Sequence, residues 1–335
     1  MTHNRWHPDL EPVERVRPGE ELRLECQDGF AGELTRESVH ADAGRLNLGL
    51  GHPLTGPVYV EGAEPGDALV VELLGYEAPD FGSTPIIPGF GFLADFFPDP
   101  YLVKWEIANG VARSTELPGV IVPDAMFAGV IGVAPSRERM EAFRRREESL
   151  RDRGQPVADD LPETAEPASV AGGLRTIPPR ETGGNMDVRQ LVAGSRLVLP
   201  VDVPGALLSI GDLHFAQGDG EASGTAIEIG GAVRLRFAVE KGGAPRFPSY
   251  ETPGEPARPS FGTVGIPVDA GMDLNAAARE ALLQMIDHLE ATYGFERAAA
   301  YALCGVAVDL RISEVVDIPY PVVSALLPLD LFASP

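Results

Sequence analysis

Five apolar stretches rich in β-branched residues, broken at short intervals by glycine, proline, asparagine and aspartate, constrain this chain more than any other feature. They are ELRLECQD (21–28), GPVYVEGAEPGDALVVELLGYE (56–77), LPGVIVP (117–123), SRLVLPVDVPGALLSIGD (195–212) and GTAIEIGGAVRLRFAVEKG (224–242). Short strands with turn punctuation predict a β-sandwich or barrel and exclude a doubly wound α/β sheet. Two of the stretches echo each other, each placing a Pro-Gly turn, Pro65-Gly66 or Pro204-Gly205, ahead of an apolar strand. Helical patterns occupy two segments. Ser136 to Arg153 opens on a capping serine, carries few apolar residues and stops at Gly154, so it reads as a solvated surface helix. Asp273 to Gly294 sets Leu274, Ala278, Leu282, Met285, Ile286 and Leu289 on one stripe that should pack on a sheet. The expected class is α+β: mainly β, sandwich- or barrel-like, with an α/β portion carrying this long helix of the C-terminal half.

At 335 residues the chain suits one large unit or two packed halves. The proline-rich acidic stretch 154–172 would connect a β-rich region, 1–153, to a second β-rich region with the α/β portion, 173–335. A formal charge of −23 with scattered arginines argues against nucleic acid as a partner. The N-terminus shows no basic-then-apolar signal pattern, and the longest apolar run, AAAYALCGVAV, is too short to span a membrane. A soluble cytoplasmic protein without a membrane partner is expected. Cys26 and Cys304 lie far apart and suggest neither a disulfide framework nor a thiolate zinc site. Of 27 basic residues only Lys104 and Lys241 are lysines, and arginine cannot replace lysine as a proton-transferring base.

The densest chemistry lies in SIGDLHFAQGDGE, residues 209–221. On a strand, Asp212 and His214 project to one side, and a carboxylate beside an imidazole suits a divalent metal. The glycines that follow allow the loop to return Asp219 or Glu221 to the same point. The alternative is an exposed polar turn in which His214 satisfies local hydrogen bonds; the EF-hand calcium pattern is absent. A second loop, PPRETGGNMDVRQL (178–191), presents Asn185 and Asp187, either to a ligand or as a helix cap. His52 precedes a proline-rich strand entry, where an isolated histidine is usually structural, with a ligand role as the alternative.

Taken in order, HPLTGPVYVEGAEPGDALVVEL, PPRETGGNMDVRQL, LLSIGDLHFAQGDGEASGTAIE and YALCGVAVDLRISEVVD resemble the acetamidase/formamidase family, over about residues 10 to 320. The resemblance implies hydrolysis of short aliphatic amides such as formamide and acetamide, on a mainly β framework, with a divalent metal near the third string. Its matched polar residues are Asn185, Asp187, Asp212, His214, Gln217, Asp219, Glu221 and Asp309. Val308 departs from the small residue expected beside Asp309.

Elimination agrees with that implication. No G-x-S-x-G elbow occurs, and neither lysine sits in a polar cluster, so serine- and lysine-based amidase sites lack their parts. A metal-activated water remains. In this reading Asp212, His214 and Asp187 hold the ion, zinc in the first place, with calcium or another ion as alternatives. Glu221 carries the proton, unless it is itself a ligand. Asp187 and Gln217 assist catalysis, and Asn185 and Asp219 meet the substrate. A homo-oligomer is the expected state, with FGFLADFFPDPYLVKW (90–105) as pocket wall or inter-subunit patch. The competing reading is a non-enzymatic β-sandwich module binding carbohydrate or a structural metal; aromatic residues at 7% offer few stacking platforms for it.

Overall fold

The computed structural model describes residues 2–160, 172–253 and 258–332. Among these the strands form two large sheets. The first, of eleven strands, runs in the order Thr2–His3, Leu54–Val60, Leu208–His214, Glu228–Ile229, Phe81–Ile86, Tyr101–Ala108, Val111–Arg113 and Val122–Pro123; Phe127–Val133 bridges Leu208–His214 to Gly183–Asn185, and Glu14–Val16 pairs with Leu54–Val60. The second, of eight, runs Asp309–Glu314, Val322–Pro328, Ser260–Gly265, Ser249–Thr252, Arg196–Pro200, Ala68–Glu77, Gly231–Glu240 and Glu21–Cys26. One core joins them, with Ile131, Leu208 and Ile210 from the first sheet against Val71, Leu199 and Leu235 from the second. Complete burial of each such side chain is worth roughly 1.5–3 kcal/mol, which fixes the strand registers. The expected mainly β architecture is therefore present, although LPGVIVP contributes only the two-residue strand Val122–Pro123.

The two echoing Pro-Gly turns lie side by side. Gly205 N donates to Ala63 O at 2.8 Å, Val60 N to Gly205 O at 3.0 Å, and Gly66 N to Val201 O at 2.9 Å. Each turn sends one strand into each sheet, so Leu54–Val60 pairs with Leu208–His214 while Ala68–Glu77 pairs with Arg196–Pro200. Residues 161–171, most of the proline-rich connection, lie outside the described residues.

The first of the two expected helices, Arg137–Asp152, is capped by Ser136 as its sequence indicates, with Ser136 Oγ accepting from Arg139 N at 3.2 Å. It differs from expectation in not being solvated all round. Met140, Phe143, Glu147 and Leu150 are buried at helical spacing, and Phe143 packs with Trp6 and Val130. Glu147 occupies an inward position because it meets the buried Arg180 at 2.8 Å, an ion pair standing where an apolar contact would normally signal burial. The long helix, Leu274–Tyr293, is capped by Asp273 and ends at Gly294, whose φ of 71 only glycine adopts readily. Its most buried face is Ala277, Ala281, Met285 and Leu289, slightly rotated from the expected stripe; Leu274, Ala278 and Leu282 pack at the margin. Small residues lead because the helix backbone touches the sheet at Gly265. A further helix, Arg297–Ala307, was not anticipated as one; its Cys304 is buried, as expected of a core thiol.

At Gly265 a Cβ would collide with Ala277 O and Ala281 N, backbone atoms of the long helix that no rotamer change can move. Gly265→Ala should therefore destabilise the protein by about 1–3 kcal/mol, the usual cost of overpacking. Urea denaturation reads this as a lower midpoint at unchanged slope; an unshifted midpoint would show that the helix does not rest there.

Candidate functional site

The strand Leu208–His214 organises the site through a break in its own regularity. As far as Gly211 it pairs with Leu54–Val60, and from Leu213 onward with Glu228–Ile229. At the changeover Asp212 has φ 54, a left-handed conformation unusual for a non-glycine residue. Asp187 (φ 47) and Glu221 (φ 46) share that backbone state. Such strain persists only where surrounding structure imposes it, and three instances converging on one point mark a functional site. Asp212 and His214 do meet, as sequence spacing suggested. The kink aims them, however, and ideal strand alternation does not.

His214, 1% exposed, is the hub. Its Nδ1 lies 2.8 Å from Gln217 Oε1, and its Nε2 faces Glu228 Oε2 at 3.4 Å, Asp212 Oδ2 at 3.5 Å and Glu221 Oε1 at 3.9 Å. Asp187 Oδ1 stands 3.6 Å from His214 Nδ1. Gln217 is itself anchored, donating from Nε2 to Asp187 O at 3.2 Å and to Ser313 O at 3.3 Å. It thereby orients the imidazole, leaving Nε2 turned to the carboxylates. Asn185 Nδ2 donates to Asp317 Oδ2. Glu314 Oε2 accepts from Val316 N and Asp317 N, both at 2.9 Å, folding that segment back toward the cluster. Among the described residues, two groups have ligand atoms close enough together to hold a metal ion: Asp187, Asp212 and His214, and His214, Glu221 and Glu228. Asp187 Oδ1 is buried without a hydrogen-bond partner, as an oxygen awaiting a cation would be.

Burial dominates the electrostatics. It raises the carboxyls of Asp187, Glu221, Glu314 and Asp317 well above the usual range, with neighbouring carboxylates adding to the effect. Glu228 is pushed up to about 7 by burial, with His214 opposing. Burial also acts upward on Asp212, but the imidazoles of His52 and His214 more than offset it and hold the carboxyl low. His214 is the mirror case: burial lowers it, while Glu228 and Asp212 raise it well above an ordinary histidine.

The cluster floors a cavity of about 500 Å³. Asn185, Asp187, Asp212, Glu221 and Glu228 reach its surface, while His214 and Gln217 lie behind them. Two anticipated residues are elsewhere. Asp219 is exposed and ion-paired to Arg311 at 2.7 Å, and Asp309 is exposed at the start of the strand Asp309–Glu314, lining a separate cavity. Sequence reasoning missed Glu228, Glu314 and Asp317 and left His52 open between a structural residue and a ligand; it lines the cavity, with Nε2 4.0 Å from Asp212 Oδ2. The signal for Glu228 was a carboxylate inside the apolar run AIEI, and for the other two the acids of ISEVVD, downstream of the aspartate chosen there. Both lysines are engaged elsewhere, Lys104 with Arg36 O and Ser38 O, Lys241 with Asp67.

A concave pocket whose floor carries several titratable groups with displaced pKa values, set among apolar walls, defines an enzyme that acts on a small molecule. Comparison with known proteins gives the class its chemistry. A family model described as the Acetamidase/Formamidase family matches residues 1–334. The chain is 35% identical over 367 residues to a formamidase of Methylophilus methylotrophus, covering 98% of this chain and 89% of that one. It is 35% identical over 355 residues to an acetamidase of Mycolicibacterium smegmatis, covering 90% and 84%. Among solved structures it is similar to an acetamidase from Bacillus halodurans, with TM-score 0.79, 27% identity and 99% and 96% of the two chains covered. A γ-lactamase from Delftia acidovorans gives TM-score 0.71 and 35% identity over 99% and 90%. The chain belongs to the acetamidase/formamidase family and is an amidase, which sets aside the carbohydrate- or metal-binding module.

Gly129 shows how tightly the floor is built. A Cβ there would sit 2.6 Å from Asp187 Oδ1 and 2.8 Å from both Asp212 Oδ2 and His214 Cε1. These are side-chain ends, which move more easily than backbone. Gly129→Ala should therefore fold while displacing the three groups, and amide turnover should fall by about 10²-fold or more. Ammonia release at the normal rate, with an unchanged circular dichroism spectrum, would show that the space left by glycine is not needed.

Proposed function

We propose that the protein hydrolyses short aliphatic amides, formamide and acetamide among them, to the carboxylate and ammonia, by water activated in a divalent-metal site. The observation that carries this reading is the composition of the cavity surface: among the described residues that line it are carboxylates, a histidine and an asparagine, but no serine, threonine, cysteine or lysine. Hydroxyl, thiol and amine nucleophiles are thus missing where the substrate must sit. The donors suit a divalent cation held by Asp187, Asp212 and His214. Mixed carboxylate and imidazole ligation without thiolate is compatible with zinc. When bound, the ion supplies positive charge that acidifies a water molecule and polarises the amide carbonyl.

The remaining work falls to this chain's own side chains. Glu221, raised by burial, takes the water proton and returns it to the departing nitrogen. Asn185, its Nδ2 committed to Asp317, keeps Oδ1 free of partners to accept from the substrate NH₂. Gln217 acts through His214, as a positioning residue. Asp219 is removed from the substrate by its pairing with Arg311. The exposed Phe92, Phe96 and Phe97, adjacent to the cavity rim, favour association of copies of this chain. No described helix is long and apolar enough to cross a membrane, and we read the enzyme as cytoplasmic.

Purified protein should release ammonia from formamide and acetamide and lose that activity to a chelator. His214→Ala should lose its divalent ion by elemental analysis while remaining folded; undiminished metal content would remove His214 from the ligand set.

Glu221→Gln preserves shape without the proton carrier. It should keep its metal and its substrate affinity while turnover drops about 10²- to 10⁴-fold. Metal lost in parallel would make Glu221 a ligand, and near-normal turnover would end both assignments.

A further inference from the structure

The floor accounts for only part of the cavity. Its other side is hydrocarbon, supplied by four separate segments: Phe30 and Leu48, Phe90, Ile177, and Val316 with Ile318. Phe30, Ile177 and Val316 are buried in the protein, so the wall is backed by the fold and is no loose surface patch. A water-sized group occupies roughly 30 Å³, so the four non-hydrogen atoms of acetamide fill about 120 Å³. The cavity offers about 500 Å³. Formamide and acetamide would engage the floor and leave the apolar wall in contact with water, which it binds poorly.

Resting on the amide-hydrolase reading, we infer that this wall is an acyl-recognition surface and that the preferred substrates are neutral amides with a hydrocarbon acyl group larger than acetyl, of about four to seven carbons. The amide group sits at the carboxylate floor, and the acyl chain lies against Ile177, Leu48 and Phe30. Acyl groups bearing a carboxylate are disfavoured because no arginine or lysine lines the cavity among the described residues, while the floor is acidic. A hydroxylated chain would likewise lose its water hydrogen bonds against carbon.

The test is kcat/KM for formamide, acetamide, butyramide, valeramide and cyclohexanecarboxamide, read by ammonia release, with succinamate as the anionic control. From acetamide to valeramide kcat/KM should rise by about fourfold per methylene, the value of burying each in an apolar site, and succinamate should fall below butyramide. Leu48→Ala and Ile177→Ala should each reduce the valeramide-to-acetamide ratio by about tenfold. Thermal melts confirm folding, and the half-buried loop position of Leu48 keeps one variant informative if Ile177→Ala is unstable. A flat or falling series beyond acetamide in the unmodified enzyme would overturn the inference while leaving the amidase intact. Absence of ammonia from every amide, formamide included, would defeat the amidase reading itself and this inference with it.

Discussion

Six buried carboxyl groups, Asp187, Asp212, Glu221, Glu228, Glu314 and Asp317, share one region in which, among the described residues, two imidazoles, His52 and His214, face them. Ionised carboxylates crowded in a low-dielectric space repel one another and lose hydration worth several kcal/mol each, so they cannot all carry charge without compensation. The carboxyl groups respond unequally. Asp212 stays ionised against His214, Glu228 is pushed up to about 7, and the remaining carboxyls are raised well above their ordinary range. A positive charge bound among them would favour their ionised forms, in the direction opposite to burial.

The scaffold is arranged to impose this crowding. The kink at Asp212 splits the neighbours of one strand and opens the floor, and the missing side chain of Gly129 lets three site residues close on one point. Positive charge is placed outside the pocket. Arg180 meets Glu147 at 2.8 Å, and Arg146 grips Glu181 through two hydrogen bonds of 2.8 and 2.9 Å, so the loop carrying Asn185 and Asp187 is fastened from behind to the helix Arg137–Asp152. The planar fork of arginine suits such bidentate grips better than lysine does. Twenty-five of the 27 basic residues are arginines, yet none of those described lines the cavity.

What could be read from the sequence follows from how local each signal is. Alternating apolar runs and Pro-Gly turns report local geometry, and the sandwich was legible from them, as was the helix capped by Asp273 and Gly294. Asp212, His214 and Glu221 were legible because glycine-bent polar strings are rare in apolar surroundings. Glu228 was hidden because a single acid inside a strand resembles an ordinary outward position until its neighbour is known. Glu314 and Asp317 reach the site through pairing with the neighbouring strand Val322–Pro328 and with Gly220, in a loop remote in sequence. Asp219 failed for the converse reason: it lies beside Gly220 and Glu221 in the chain, but the positive φ of Gly220 turns the two carboxylates apart.

The strand Asp309–Glu314 fastens the loop that bears Glu221, since Gly220 N donates to Ser313 O at 3.2 Å and Val315 N to Gly220 O at 3.3 Å. These partners are more than ninety residues apart in the chain, so the contacts form only after the intervening segment has been made. A nascent polypeptide that has paired the strands around Asp212 and His214 therefore still lacks the support for the loop bearing Glu221, and lacks Glu314 and Asp317 themselves. The last parts of this cluster thus arrive after the strands they close upon.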